Sequence, residues 1–313
     1  DLRRLREWTA EANPTALDER RLECLLNMGV NRISLGAQFL DDAALRLLGR
    51  RHTTADVRAA CRRLQTAGVR NWSVDLIACV PGVAPATWQR TLDEALALGP
   101  RHISIYALTV EEGAALSHRA GTGTTAGLLD DEEQLAWLQI AEDRLCAAGY
   151  CRYEISNYAR PGWECQHNLA CWRGEDYLGV GCAAASRVGR QRWRNAADLD
   201  AYLTAMRAGQ PPPRETETVT PETVALERLI FGLRLAEGVQ LEAAARLAGD
   251  RQTACAASWR RRLNQLREHG LVRETNDRWQ LTSRGREVAD AVAVELMSAD
   301  ADFSRLSMVA DLQ

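Results

Sequence analysis

The side chains best suited to chemistry in this chain are polar or acidic residues placed where short apolar and β-branched runs end. Glu11 stands in EANP, Gln38 follows SLGA, Asp75 lies in SVDLI, and Thr109 with Glu111 follows SIYAL. Any one of these could be a helix cap or a turn residue. Taken together, at the ends of consecutive candidate strands, they read as the wall of a site, because parallel α/β folds gather function at the carboxyl ends of their strands. A second group lies further along, where Cys165, His167 and Cys171 stand close together beside Trp172. An imidazole and two thiols can ligate a metal, but these spacings fit no CxxC zinc pair.

Such side chains need strands to hold them. Residues 31–37, 72–77, 102–108, 152–156 and 178–188 have strand composition, and helical patterns cover 16–29, 54–67, 86–98 and 131–148. The spacing of Val57, Ala60, Cys61 and Leu64 predicts one buried helix face, and Gly68 is a normal stop after it. Strand, helix, strand in this order predicts βαβ units and a parallel sheet, in a doubly wound or a barrel arrangement. The chain opens on a short helix-like stretch. Residues 1–208 are read as this α/β domain, and the proline-rich, polar 209–221 (GQPPPRETETVTP) as a linker. Beyond it, helices at 222–235, 240–248, 254–269 and 283–297 with a hairpin at 271–281 predict a winged-helix-like domain over 222–298, and 299–313 a frayed tail.

Composition narrows the function classes. The chain has 313 residues, 46% of them hydrophobic, with a formal net charge of −3. That balance carries no footprint for nucleic acid or for an anionic membrane surface. The Trp259-Arg260-Arg261-Arg262 run could grip phosphates, but residues 222–297 hold twelve arginines against eleven acids, so no nucleic-acid partner is expected. No window approaches the roughly 18 apolar residues of a membrane span. Nine scattered cysteines, an odd number, match reduced thiols of a cytoplasmic protein. The first residue is Asp1, and an upstream portion is expected to be missing.

EANP at 11–14, GVNRISLGAQFLDDAALRLLGRRH at 29–52, DLIACVPG at 75–82, HISIYALTVEEG at 102–113 and YEISNYARPGWECQHNLACW at 153–172 occur in series. With YLGVGCAAAS at 177–186 and ERLIFGLRLAEGV at 227–239, this text resembles the coproporphyrinogen oxidase-like branch of the radical S-adenosylmethionine family. The branch contains oxygen-independent coproporphyrinogen III oxidases and bacterial heme chaperones. The resemblance implies a partial (β/α) barrel of the radical SAM type, incomplete at its N-terminus, followed by the winged-helix-like domain. It implies that Glu11, Gln38, Arg50 and Asp75 hold S-adenosylmethionine; Thr109 is read either as a further contact or as a turn threonine. Acidic and amide groups suit ribose hydroxyls and an ammonium, and an arginine fork suits a carboxylate.

His167-Asn168-Leu169-Ala170-Cys171-Trp172 resembles the HNxxYW motif of the heme-chaperone branch, which implies heme binding by His167, Asn168 and Trp172. Cys171 replaces the motif's tyrosine, and Ala183 and Ala185 stand where the family carries glycine and histidine. The family also implies a 4Fe–4S cluster on a CxxxCxxC loop, a spacing absent from the nine cysteines and expected upstream. The expected function is that of a heme chaperone, delivering heme to an unidentified acceptor, with a homodimer possible. The alternatives are an oxygen-independent coproporphyrinogen III oxidase or a cluster-less binding module. An incomplete barrel would expose the edge of its first strand, which predicts poor solubility.

Overall fold

Runs with a two-residue period set the central sheet. They form β1 (Thr9–Ala12), β2 (Arg32–Gln38), β3 (Trp72–Ala78) and β4 (His102–Ala107), parallel and adjacent in chain order. Parallel neighbours need a crossover, and each crossover here is helical. Helix α1 (Glu19–Met28) joins β1 to β2, α2 (Asp42–Leu47) and α3 (Thr54–Thr66) join β2 to β3, and α4 (Pro85–Leu98) joins β3 to β4. After α5 (Asp131–Ala147), the hairpin of β5 (Cys151–Arg152) and β6 (Asn157–Ala159) adds to β4 antiparallel, for the order β1-β2-β3-β4-β6-β5. This computed structural model describes residues 4–109 and 129–297. The chain divides into two compact units, Asp1–Gln166 and His167–Gln313.

Local chemistry starts and stops these helices. Thr53 and Asp56 form a reciprocal capping box at the start of α3, and Gly29 ends α1 in the left-handed region at φ 106°. The predicted α3 face, Val57, Ala60, Cys61 and Leu64, is fully buried. It shares one core with Ile33, Leu35, Val74, Leu76, Ile103 and Ile105 of the sheet and with Trp88 and Leu92 of α4. Each such side chain contributes roughly 1.5–3 kcal/mol through burial. Strands covered by helices on both faces would be apolar throughout. These alternate instead, so one face of the sheet is greasy and the other is polar.

In the second unit, α6 (Gln166–Trp172) leads to an antiparallel sheet of β7 (Ala185–Val188), β8 (Gln191–Asn195) and β9 (Arg214–Thr218), with α7 (Leu199–Arg207) between the last two. Then follow α8 (Pro221–Arg234), α9 (Leu241–Ala245), a 3-10 turn, α10 (Gln252–Glu268), the hairpin of β10 (Val272–Thr275) and β11 (Arg278–Leu281), α11 (Ser283–Glu287) and α12 (Ala289–Met297). Asn276 and Asp277 both have positive φ, 50° and 59°, the backbone that a tight two-residue hairpin demands. This is the expected helices-then-wing order.

Several expectations need correction. The helix-like opening is not helical after Arg4; it leads into β1. Of the 152–156 strand only Arg152 is in β5; residues 153–156 turn the chain into β6, where the Glu154 carboxylate accepts from the Ser156 amide at 2.9 Å. Of 178–188 only Ala185–Val188 is a strand. Within the stretch read as a linker, Arg214–Thr218 is an edge strand, since β8 supplies the pairing that the proline-rich text concealed. The 283–297 helix breaks at Val288, whose φ of −123° is not helical. Glu111 and the tail at 299–313 lie outside the described residues.

Candidate functional site

Register fixes which side chains share the polar face. Glu11 pairs with Ser34, Ser34 with Ser73, Ser73 with His102, and Asp75 with Ser104. Directly opposed residues point to the same side of a sheet, as do residues two apart. Glu11, Ser34, Ser73, Asp75, His102 and Ser104 therefore line one face, joined by Arg32 and Tyr106. Asp75 is the fourth residue of β3 and not at its terminus, as the sequence reading had it, because Leu76, Ile77 and Ala78 carry the strand onward.

Exposure along this face rises in one direction. At the amino ends of the strands Arg32, Ser73 and His102 are 3%, 0% and 1% exposed. Towards the carboxyl end of β4 Tyr106 reaches 45%, and Glu11, level with Ser34, Ser73 and His102 in the register but on the edge strand β1, is exposed as well. The face has a dry floor and an open rim, and the rim is where barrel-type folds place function. Asp75 sits between. Its Oδ2 accepts from Ser34 at 2.9 Å and its Oδ1 from Ser104 at 2.7 Å. Burial pushes its carboxyl up, the hydroxyls of Ser104 and Ser34 and the charge of Arg32 pull it down, and Glu11 pushes it up again. His102 on the floor is driven down to about 3, by burial first and Arg32 second, so it is neutral. Its Nε2 lies 2.8 Å from the Tyr153 hydroxyl.

Gln38 ends β2 with φ at 65°, after a register shift between Leu35 and Gln38. That bulge turns its amide back over Gly36, where a Cβ would lie 2.8 Å from Gln38 Nε2 and 3.8 Å from the Ala12 carbonyl oxygen. Gly36 thus leaves room for the amide on the polar face. Glu11, Gln38 and Asp75 are brought together there. Arg50 is not joined to them by any hydrogen bond or ion pair among the described residues; it is exposed in the loop after α2, its amide donating to the Leu45 carbonyl at 2.9 Å. Thr109 is exposed just beyond β4. Sequence reasoning missed Arg32, Ser34, Ser73 and Ser104. The signal was there in the period-two polar positions of RISLGAQ, SVDLIA and HISIYA.

The second group lies on α6. His167 is exposed, and its Nε2 stands 3.8 Å from Cys171 Sγ, one turn on along the same helix face. Burial pushes the Cys171 thiol up. Asn168 is half-buried. Trp172 turns elsewhere, meeting Phe231 edge-on at 5.9 Å with the Arg234 guanidinium 4.7 Å above its ring. Among the described residues no three His, Cys, Asp or Glu side chains are grouped to hold a metal ion. No described helix is long and apolar enough to cross a membrane.

Known proteins match this chain along most of its length. Residues 2–95 match the radical SAM superfamily and residues 219–288 the HemN C-terminal domain. The heme chaperone HemW of Mycobacterium tuberculosis is 33% identical over 291 residues, covering 93% of this chain and 72% of the relative. That of Escherichia coli is 32% identical over 284 residues, covering 90% and 72%. That of Synechocystis is 37% identical over 240 residues, covering 74% of this chain and 57% of the relative's length. In structure, coproporphyrinogen III oxidase (HemN) of Escherichia coli, a radical SAM enzyme, superimposes with a TM-score of 0.77 at 21% identity, over 93% of this chain and 69% of that one, which shows a shared fold. The superfamily match implies S-adenosylmethionine and a 4Fe–4S cluster as cofactors. The open parallel sheet with its polar face and the C-terminal helices with their wing are thus those of the HemN-like radical SAM fold, and the chain belongs to the HemW heme-chaperone family.

Proposed function

We propose that the chain binds S-adenosylmethionine on the polar face of its parallel sheet and heme at α6, and serves in passing heme to an acceptor protein in the cytoplasm. The observation that carries this reading is the convergence of Glu11, Gln38 and Asp75 on one face that opens at the carboxyl ends of the strands.

The residues fit the nucleoside. A carboxylate oxygen has two acceptor positions, and each Asp75 oxygen spends one on a serine, leaving one apiece for a pair of ribose hydroxyls. The exposed Glu11 carboxylate suits an ammonium, the Gln38 amide can donate and accept, and the Arg50 fork suits a carboxylate. The cluster does not fit the residues present, since the nine cysteines contain no CxxxCxxC spacing. For heme, the exposed His167 imidazole is a proper axial ligand, with Asn168 beside it. Trp172 would offer the ring face away from Arg234.

Titration with hemin tests the second half of this reading. The expected result is a Soret shift that His167→Ala abolishes. Oxidative decarboxylation of coproporphyrinogen by a longer form reconstituted with its 4Fe–4S cluster would favour an oxidase. An unchanged Soret shift in His167→Ala would remove α6 from the heme site.

A further inference from the structure

Arg32 is a buried cation that the cofactor reading does not use. It is 3% exposed and makes no ion pair among the described residues. Its Nη2 donates to Ser73 Oγ at 3.1 Å, Ser73 Oγ lies 2.7 Å from Ser34 Oγ, and Ser34 Oγ donates to Asp75 Oδ2 at 2.9 Å. A guanidinium only donates and a carboxylate only accepts, while each serine hydroxyl has one proton to give. Ser34 gives its proton to Asp75, so the bond between the serines must run from Ser73 to Ser34. Ser73, its proton spent, accepts from Arg32. The direction of every proton in the row follows from its two ends.

We propose that Arg32, acting through Ser73 and Ser34, is a positioning residue for Asp75: it orients the serine protons and keeps the carboxylate ionised, with its outer lone pairs free for a ligand's hydroxyls. Burial alone would favour the protonated acid, and Glu11 on β1 pushes the same way. On β4, Ser104 opposes that push, Tyr106 is a phenol, and His102 is neutral and offers no charge. Arg32 is therefore the cation whose charge acts on Asp75. Hydrogen bonds in such a chain polarise one another, so the charge is felt across both hydroxyls. The consequence for the cofactor rests on the reading given above; the proton row does not.

The test is a carboxyl-carbon NMR titration of the aspartate-labelled full chain, with the Asp75 signal assigned by Asp75→Asn. In Arg32→Met the Asp75 midpoint should rise by about 1 pH unit, a tenfold change in proton affinity, and Arg32→Lys should restore most of the loss. Should Arg32→Met not fold, Ser73→Ala breaks the row with the cation in place, and a smaller rise is expected. An unmoved midpoint in the folded variant would overturn the proposal. S-adenosylmethionine binding, measured by equilibrium dialysis on the same proteins, separates the two ideas. A shifted Asp75 with no cofactor binding in any variant supports the proton row and sinks the cofactor reading alone.

Discussion

The polar face of the sheet and helix α6 carry chemistry in opposite ways. On the sheet, Asp75 is braced by Ser34 and Ser104, and the Gln38 amide lies over Gly36. On α6, a helix of seven residues, His167 is exposed, with Cys171 one turn away. Strands preset the geometry of a site, whereas an imidazole exposed on a short helix can present its edge to a flat ligand arriving from solvent. The first arrangement suits a small cofactor bound repeatedly in one pose. The second suits cargo that must be taken up and released.

The largest expected effect separates the two regions outright. Asp75→Asn removes the charge that strengthens two hydrogen bonds, so affinity for S-adenosylmethionine should fall by about 100-fold while the hemin titration is unchanged. His167→Ala should do the reverse in the same two assays, weakening heme more than about tenfold. Loss of both ligands in either variant would break the comparison. Acid comes next. The His102 value is depressed in the folded state from its ordinary 6.5 to about 3. The unfolded chain therefore binds the extra proton, so the stabilisation is complete above pH 6.5 and is lost as pH falls towards 3. Chemical denaturation across that window should show the slope flattened in His102→Asn, with α6 unaffected. A finer probe is Gly36→Ala, whose methyl displaces the Gln38 amide. Cofactor affinity should drop several-fold, with stability changed by less than ~1 kcal/mol, because the amide end can swing aside. The smallest effect is expected of Cys171→Tyr. The thiol is not assigned to the iron, so the Soret maximum should stay in place.

Much of this was legible in the residues, for identifiable reasons. The α3 face was plain because four apolar positions recur at helical spacing. Gln38 was found at a strand end because the apolar run stops there. Asp75 reads as an acidic strand end, although the predicted strand 72–77 already runs past it; the ladder with β4 continues to Ala78. The serines around it were invisible for a different reason. A serine in a strand is commonplace, and only the register Ser34 to Ser73 and Asp75 to Ser104 makes those hydroxyls partners. RETET read as linker because its pairing partner lies twenty residues or so upstream, in β8, where no local pattern points. Trp172 belonged to a recognised motif, but its packing on Phe231 is a long-range fact.

The gradient from dry floor to wet rim also divides the site electrically. Around Ser73 and Ser104 there is little solvent to relax, so fields act there nearly at full strength, whereas the exposed Glu11, at the open edge of the sheet, is screened by water and salt. Added salt should therefore loosen whatever the rim holds by charge and leave the grip of the floor alone, so ionic strength can tune how tightly a ligand's tail is held without altering where its sugar sits.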